Sequence, residues 1–151
     1  MAVLRKLIAL DEDDLAVISA HVQDAEVHVS DIIWRQGEKR LVVGMRRPDC
    51  DQLVSGVPCD RHLISALRFD RVLSCKARNL PLGRPAPALE LWGLEFYPSK
   101  KPGGRVILMF AEGGMLRLDV ECIECELADL AEDCPGTSGL DADEISADTG
   151  A

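Results

Sequence analysis

Two hydrophobic periods share this chain, and the change between them comes early. Between Asp11 and Asp24, Leu15, Ile18 and Val22 recur at the three- and four-residue spacing of one helix face. Asp11 stands where an N-cap accepts backbone N–H bonds, and Glu12, Asp13 and Asp14 complement the positive end of the helix. DEDDLAVISAHVQD is therefore predicted to be helical, with one narrow stripe to dock on a sheet, after a first strand in VLRKLIAL.

Past this helix nearly every segment reads as strand. AEVHVSDIIW, RLVVGMR, HLISALRFDRVLSCKA, ALELWGLEFY, GRVILMF and MLRLDVE are short and rich in Val, Ile, Leu and Phe. They are separated by RQGEK, RRPDCDQLVSGVPCD, LPLGRPAP, PSKKPGG and AEGG. Such connections are too short for helical crossovers, so the pairing is expected to be mainly antiparallel. The clearest hairpin runs from RVILMF through AEGG to MLRLDVE, with Gly113 and Gly114 expected to supply the positive φ of a tight turn. In its second arm Leu116, Leu118, Val120 and Cys122 share one face, and Arg117, Asp119 and Glu121 the other. Beyond Cys122 the apolar phase passes to Ile123, Cys125 and Leu127, a slip that calls for a bulge or corner.

The expected fold class is α+β. One domain over residues 1–131 would pack an N-terminal helix on a largely antiparallel sheet of about seven or eight strands, as a barrel or a split sandwich. Residues 132–151 would form an acidic, disordered tail, because EDCPGTSGLDADEISADTGA has no aromatic residue and too few large apolar ones to offset its ordering entropy. A length of 151 residues with 47% hydrophobic positions fits one core. The net charge of -9 belongs mostly to the tail: from Ala128 onward there are seven acids and no Lys or Arg, and the remainder balances 19 acids against 17 bases.

No apolar run reaches the roughly 18 residues of a membrane span, and the start MAVLRKLIALDEDD turns acidic without a small-residue cleavage pattern. The expectation is a soluble cytoplasmic protein without membrane contact. In a reducing compartment its six cysteines serve as small apolar side chains rather than a disulfide framework; in a secreted chain six would allow 15 pairings. Cys122 and Cys125 sit three apart, but residues so spaced point to opposite faces of a regular strand. There is no second C-x-x-C, and His21, His28 and His62 are scattered. No metal and no cofactor are expected. The four acids of LDEDDL read as helix capping, and none of the glycine-rich, P-loop, nucleophile-elbow or zinc-protease signatures is present. No catalytic residue is assigned.

Two regions remain for function. Arg35, Lys39, Arg40, Arg46 and Arg47 flank IIWRQGEKRLVVGMRR, and LRFDRVLSCKAR adds Arg68, Arg71, Lys76 and Arg78. If these strands are neighbours, a basic strip forms, the candidate surface for an anion or a partner. Its plainer reading is a solvated face paired with Asp70 and the glutamates, each pair worth about 0–1 kcal/mol. The second region is the long turn RRPDCDQLVSGVPCDR with the His62 that follows it, residues 46–62, where Asp49, Asp51, Asp60 or His62 would line the pocket of an enzyme of unrecognised type.

The blocks LIALDEDDLAVISAHVQDAEV, SALRFDRVL, LELWGLEF and VECIE, taken in order, resemble a family of small proteobacterial proteins known only as domain of unknown function 2948. That resemblance covers roughly residues 3–130 and implies a stand-alone domain, with no activity, cofactor or site residue to carry over. Cys122 fits the family's VECIE block, whereas a cysteine like Cys125 does not. The leading expectation is thus a non-enzymatic interaction or ligand-binding module with an unidentified protein partner. A homo-oligomer would be held by apolar edge strands, and six aromatics are thin for a nucleic-acid platform. The enzyme and the anion or nucleic-acid binder are the alternatives.

Overall fold

The computed structural model describes residues 4–48, 62–80 and 88–133. Strand β1 (Lys6–Ala9) leads into helix α1 (Glu12–Val22), followed by β2 (Ala25–Val27), β3 (Ile32–Arg35), β4 (Arg40–Pro48), β5 (His62–Phe69) and β6 (Val72–Arg78). Then come β7 (Leu89–Pro98), β8 (Gly104–Phe110), β9 (Met115–Val120) and β10 (Cys125–Asp133). All ten strands belong to one sheet, ordered β1-β10-β5-β4-β2-β7-β8-β9-β6 with β3 also on β4, and every pairing is antiparallel. The terminal strands β1 and β6 do not pair with each other, so the sheet is open.

Its two halves are joined at both ends of the core. On one side the short β2 bridges them, with Glu26 opposite Arg46 of β4 and Glu90 of β7. On the other, β5 runs into β6 through Asp70 and Arg71 alone, while β9 runs into β10 through residues 121–124. Phe69 faces Cys125 and Val72 faces Val120, so these four strands are one long antiparallel ribbon bent at a corner. Two backbone bonds hold the corner: Asp70 N–H donates to Glu124 O and Glu121 N–H to Arg71 O, each at 2.9 Å. Here lies the slip of apolar phase read from the sequence, with Val120 buried before it and Ile123, Cys125 and Leu127 buried after it.

The bend turns the inner faces of both halves onto one core. Leu41, Leu67, Phe69 and Leu127 come from the first half and Val106, Leu108, Phe110 and Leu118 from the second, all fully enclosed in a single cluster. Helix α1 closes one flank. Asp11 Oδ1 accepts the Asp14 N–H at 2.8 Å, and Leu15, Ile18 and Val22 are buried, the stripe its spacing predicts. Just past an irregularity in β7 between Leu91 and Gly93, the Ser19 hydroxyl accepts from Leu94 N at 2.9 Å and donates to Leu94 O at 3.3 Å. The helix thereby satisfies strand edge that β2 is too short to reach.

The structure refines several expectations. AEVHVSDIIW is two strands split by a single turn at Val29–Asp31, and HLISALRFDRVLSCKA is two strands split at Arg71, whose φ is 62°. With those two splits, ten strands among the described residues replace the expected seven or eight. The addition is β10, which reaches Asp133 and so passes the expected domain end at 131, while residues 134–151 of the expected tail lie outside the described residues. In the β8–β9 hairpin the left-handed positions are Glu112 (φ 65°) and Gly113 (φ 83°), not Gly114. Gly114 is required for room instead, since a Cβ there would lie 2.7 Å from Leu80 Cδ2.

Candidate functional site

Alternation along β4 places Leu41, Val43, Met45 and Arg47 on the inner face, so Arg47 lies inside the fold, 4% exposed. Its guanidinium grips Asp129 of β10, with Nη2 donating to both carboxylate oxygens at 2.9 Å and Nε to Oδ1 at 3.1 Å. The Asp129 side chain is fully enclosed. The buried Ser65 hydroxyl donates to its Oδ1 at 2.6 Å and Arg5 N–H to its Oδ2 at 2.9 Å. A further Arg47 bond reaches His21 O, at the end of α1, at 3.4 Å. Burial alone would raise the Asp129 carboxyl, but the bonds from Ser65, Arg5 and Arg47 outweigh it and hold the pKa below its ordinary value. A carboxylate that stays ionised with both oxygens occupied is no general base, and this cluster ties β4, β5, β10 and α1 together.

Five other arginines of the basic strip stand among carboxylates. Arg40 Nε meets Asp70 Oδ1 at 2.7 Å and Arg68 Nε meets Asp70 Oδ2 at 3.0 Å, while Arg68 Nη2 reaches Glu126 at 3.2 Å. Arg71 lies 3.7 Å from Glu124 and 4.0 Å from Glu121, Arg35 3.8 Å from Glu38, and Arg46 4.0 Å from Glu26. On this half of the sheet these cations are interleaved with acids.

The other half has a different outer face. Register places Glu95 and Tyr97 of β7, Arg105, Ile107 and Met109 of β8, Met115, Arg117 and Asp119 of β9, and Ser74, Lys76 and Arg78 of β6 on a four-stranded platform, and Trp92, at the irregularity of β7 that follows the buried Leu91, points outward too. Trp92 is 55% and Tyr97 53% exposed, and Ile107, Met109 and Met115 are only partly covered. Tyr97 hydrogen-bonds Glu95, Arg105 pairs with Asp119 at 3.2 Å, and Ser74 donates to Asp119 at 2.8 Å. Ser74 and Arg105 help hold the Asp119 carboxyl below its ordinary pKa. Lys76 stands directly opposite Arg117, and Arg78 opposite Met115. Among the described residues neither Lys76 nor Arg78 has an ion-pair partner, and Arg117 Nε is enclosed without a hydrogen-bond partner. Beside this platform a cleft of about 530 Å³ is lined by Asn79, Leu80, Glu90 and Glu112.

Sequence reasoning placed Lys76 and Arg78 in the basic strip but did not join them to Arg117, and it missed Ile107, Met109 and Trp92 as surface. The signal was present: in RVILMF every second residue must face outward, however apolar the run.

Burial pushes the Cys125 thiol strongly up and the Cys75 thiol up to about 11, so neither is a poised thiolate; Cys122 is half-buried at the corner. Among the described residues no group of three or more His, Cys, Asp or Glu side chains is placed to hold a metal ion, and no helix is long and apolar enough to cross a membrane. Of the proposed enzyme pocket, Asp49, Asp51 and Asp60 lie outside the described residues. His62 opens β5 with its Nδ1 enclosed and lacking a hydrogen-bond partner.

No curated protein and no solved structure matches the chain. A family of proteins of unknown function does, over residues 5–139, which takes in every described element from β1 to β10. The chain belongs to that family, described as protein of unknown function (DUF2948).

Proposed function

We propose that the protein is a non-enzymatic binding module, working in the cytoplasm, whose recognition surface is the outer face of β7, β8, β9 and β6. One observation carries the reading. This face exposes Trp92 and leaves Ile107, Met109 and Met115 half-covered beside Lys76, Arg78 and Arg117, to which no carboxylate is bonded among the described residues, whereas the opposite half matches its cations with carboxylates. A partly covered apolar patch beside cations without a bonded carboxylate is the surface pattern of a recognition site. The fixed carboxylate of Asp129 and the raised thiols of Cys75 and Cys125 supply no catalytic group.

The test compares bait proteins in parallel pull-downs: the full chain, a Trp92→Ala/Arg117→Ala variant, and an Ile33→Ala variant on the opposite half. A partner held by the full chain and by Ile33→Ala, and lost by the platform variant, is the expected result. Retention of every partner by the platform variant would remove the reading.

A further inference from the structure

We infer that β6 is a docking edge for an extended acidic polypeptide segment, which adds a strand to the sheet there and sets its carboxylates against Lys76, Arg78 and Arg117. The inference rests on the platform reading above and names the partner's chemistry. β6 is the last strand of the sheet path, and among the described residues it pairs only with β9. Its far edge is engaged at the start, where Val72 N–H donates to Lys39 O at 2.9 Å. Beyond that point Lys76, Ala77 and Arg78 are all exposed. Successive strand residues point to opposite faces, so exposure of all three means that both faces are open at this end. Past Val72, a sheet edge that no described strand pairs with is a template for strand addition.

Charge selects the occupant. Lys76 and Arg117 are paired across the strands, a like-charge arrangement that weakens a sheet, and neither has a carboxylate bonded to it. A strand laid beside β6 places alternate side chains on the same outer face, next to Lys76 and Arg78, and glutamates or aspartates at those positions complete the rows Glu95–Ile107–Arg117–Lys76 and Met109–Met115–Arg78. A second copy of this chain joined edge to edge would instead bring two more cations onto the same ribbon. Nucleic acid is disfavoured by Glu90 and Glu95 on the β7 flank and by the aliphatic and thioether side chains at the centre. Apolar side chains of a peptide suit that centre better than phosphates do.

The experiment is fluorescence anisotropy on the full chain with four labelled probes. They are a short peptide alternating Glu and Val, its N-methylated form blocked on one edge, its Lys-for-Glu form, and oligo-dT of similar length. The Glu/Val peptide should bind and weaken at least about tenfold between about 50 mM and about 500 mM salt, since exposed charges are screened over a few ångströms at the higher value. N-methylation, K76E and R78E should each cost a similar factor, and I33A should cost nothing. Equal binding of the N-methylated form would overturn strand addition. Binding of oligo-dT in place of the peptide, or self-association of the chain that ignores the peptide, would assign the edge to another occupant and overturn the inference. All of these leave the platform reading intact; that reading fails separately if W92A and R117A leave every bound probe and partner in place.

Discussion

The two halves of the sheet are built from similar strands and share one core, yet they treat charge in opposite ways. In the half containing β4, β5 and β10, Arg47 and Asp129 are drawn inside and saturate each other, and outside them Arg40, Arg68 and Arg71 alternate with Asp70, Glu121, Glu124 and Glu126. In the half containing β7, β8, β9 and β6, carboxylates gather on β7 and at Asp119, while Lys76, Arg78 and Arg117 are left together beside half-covered apolar side chains. The first arrangement fixes a structure, because each group meets its need within the chain. The second leaves needs that only another molecule can meet. The difference separates stability from recognition and makes them testable apart.

The sharpest test of the stabilising half is Arg47→Met, which leaves the Asp129 carboxylate enclosed without its cation. A loss of about 3–5 kcal/mol in urea unfolding is expected, with most of it recovered in Arg47→Met/Asp129→Leu, because removing both charges removes the desolvation cost as well. A smaller and reversible effect follows pH. The folded Asp129 pKa lies below its unfolded value of roughly 3.9, so the stabilisation is complete above that value and disappears as pH falls through the folded pKa. The gap in stability between the parent chain and Arg47→Met should therefore be widest near neutrality and shrink below about pH 4. Unfolding curves with a constant gap down to acid would show that the ionised carboxylate is not what Arg47 serves.

Next in size is Asp11→Ala, which removes the acceptor for Asp14 N–H and should cost about 1 kcal/mol without touching any partner. Arg68→Gln breaks exposed contacts to Asp70 and Glu126 and should shift unfolding by less than about 1 kcal/mol. Least of all, Lys76→Gln on the open half should change stability by no more than about 0.5 kcal/mol, since nothing in the chain depends on it. If Lys76→Gln proved more costly than Arg68→Gln, the contrast between the halves would be reversed.

Much of this contrast was legible in the sequence, though not its location. The helix, its cap and its buried stripe follow from local spacing, and so does the corner after Val120, because both are written in consecutive residues. β10 was harder, since Asp129 occupies a core position and breaks the apolar alternation begun by Cys125 and Leu127. Its partner Arg47 lies 82 residues away, and only pairing through β5 brings the two together. Arg46 and Arg47 read together as a basic pair, but neighbours in a strand face opposite ways, and the run Leu41, Val43, Met45 already assigned Arg47 to the inside. The platform was harder for another reason. Alternation turns every second residue of RVILMF outward, but both phases of that run are apolar, and the register of four strands shows which of them is the half-covered face.

Residue-resolved amide hydrogen exchange on the free protein probes the division most directly. Amides of β4, β5 and β10 around the Arg47–Asp129 tie should exchange slowly, near the global limit, while alternate amides between Ser74 and Arg78 exchange at rates close to open chain. Protection of residues 74–78 matching that of residues 116–120 on β9 would mean that the β6 edge is already covered, and the open half would have no vacancy for a partner.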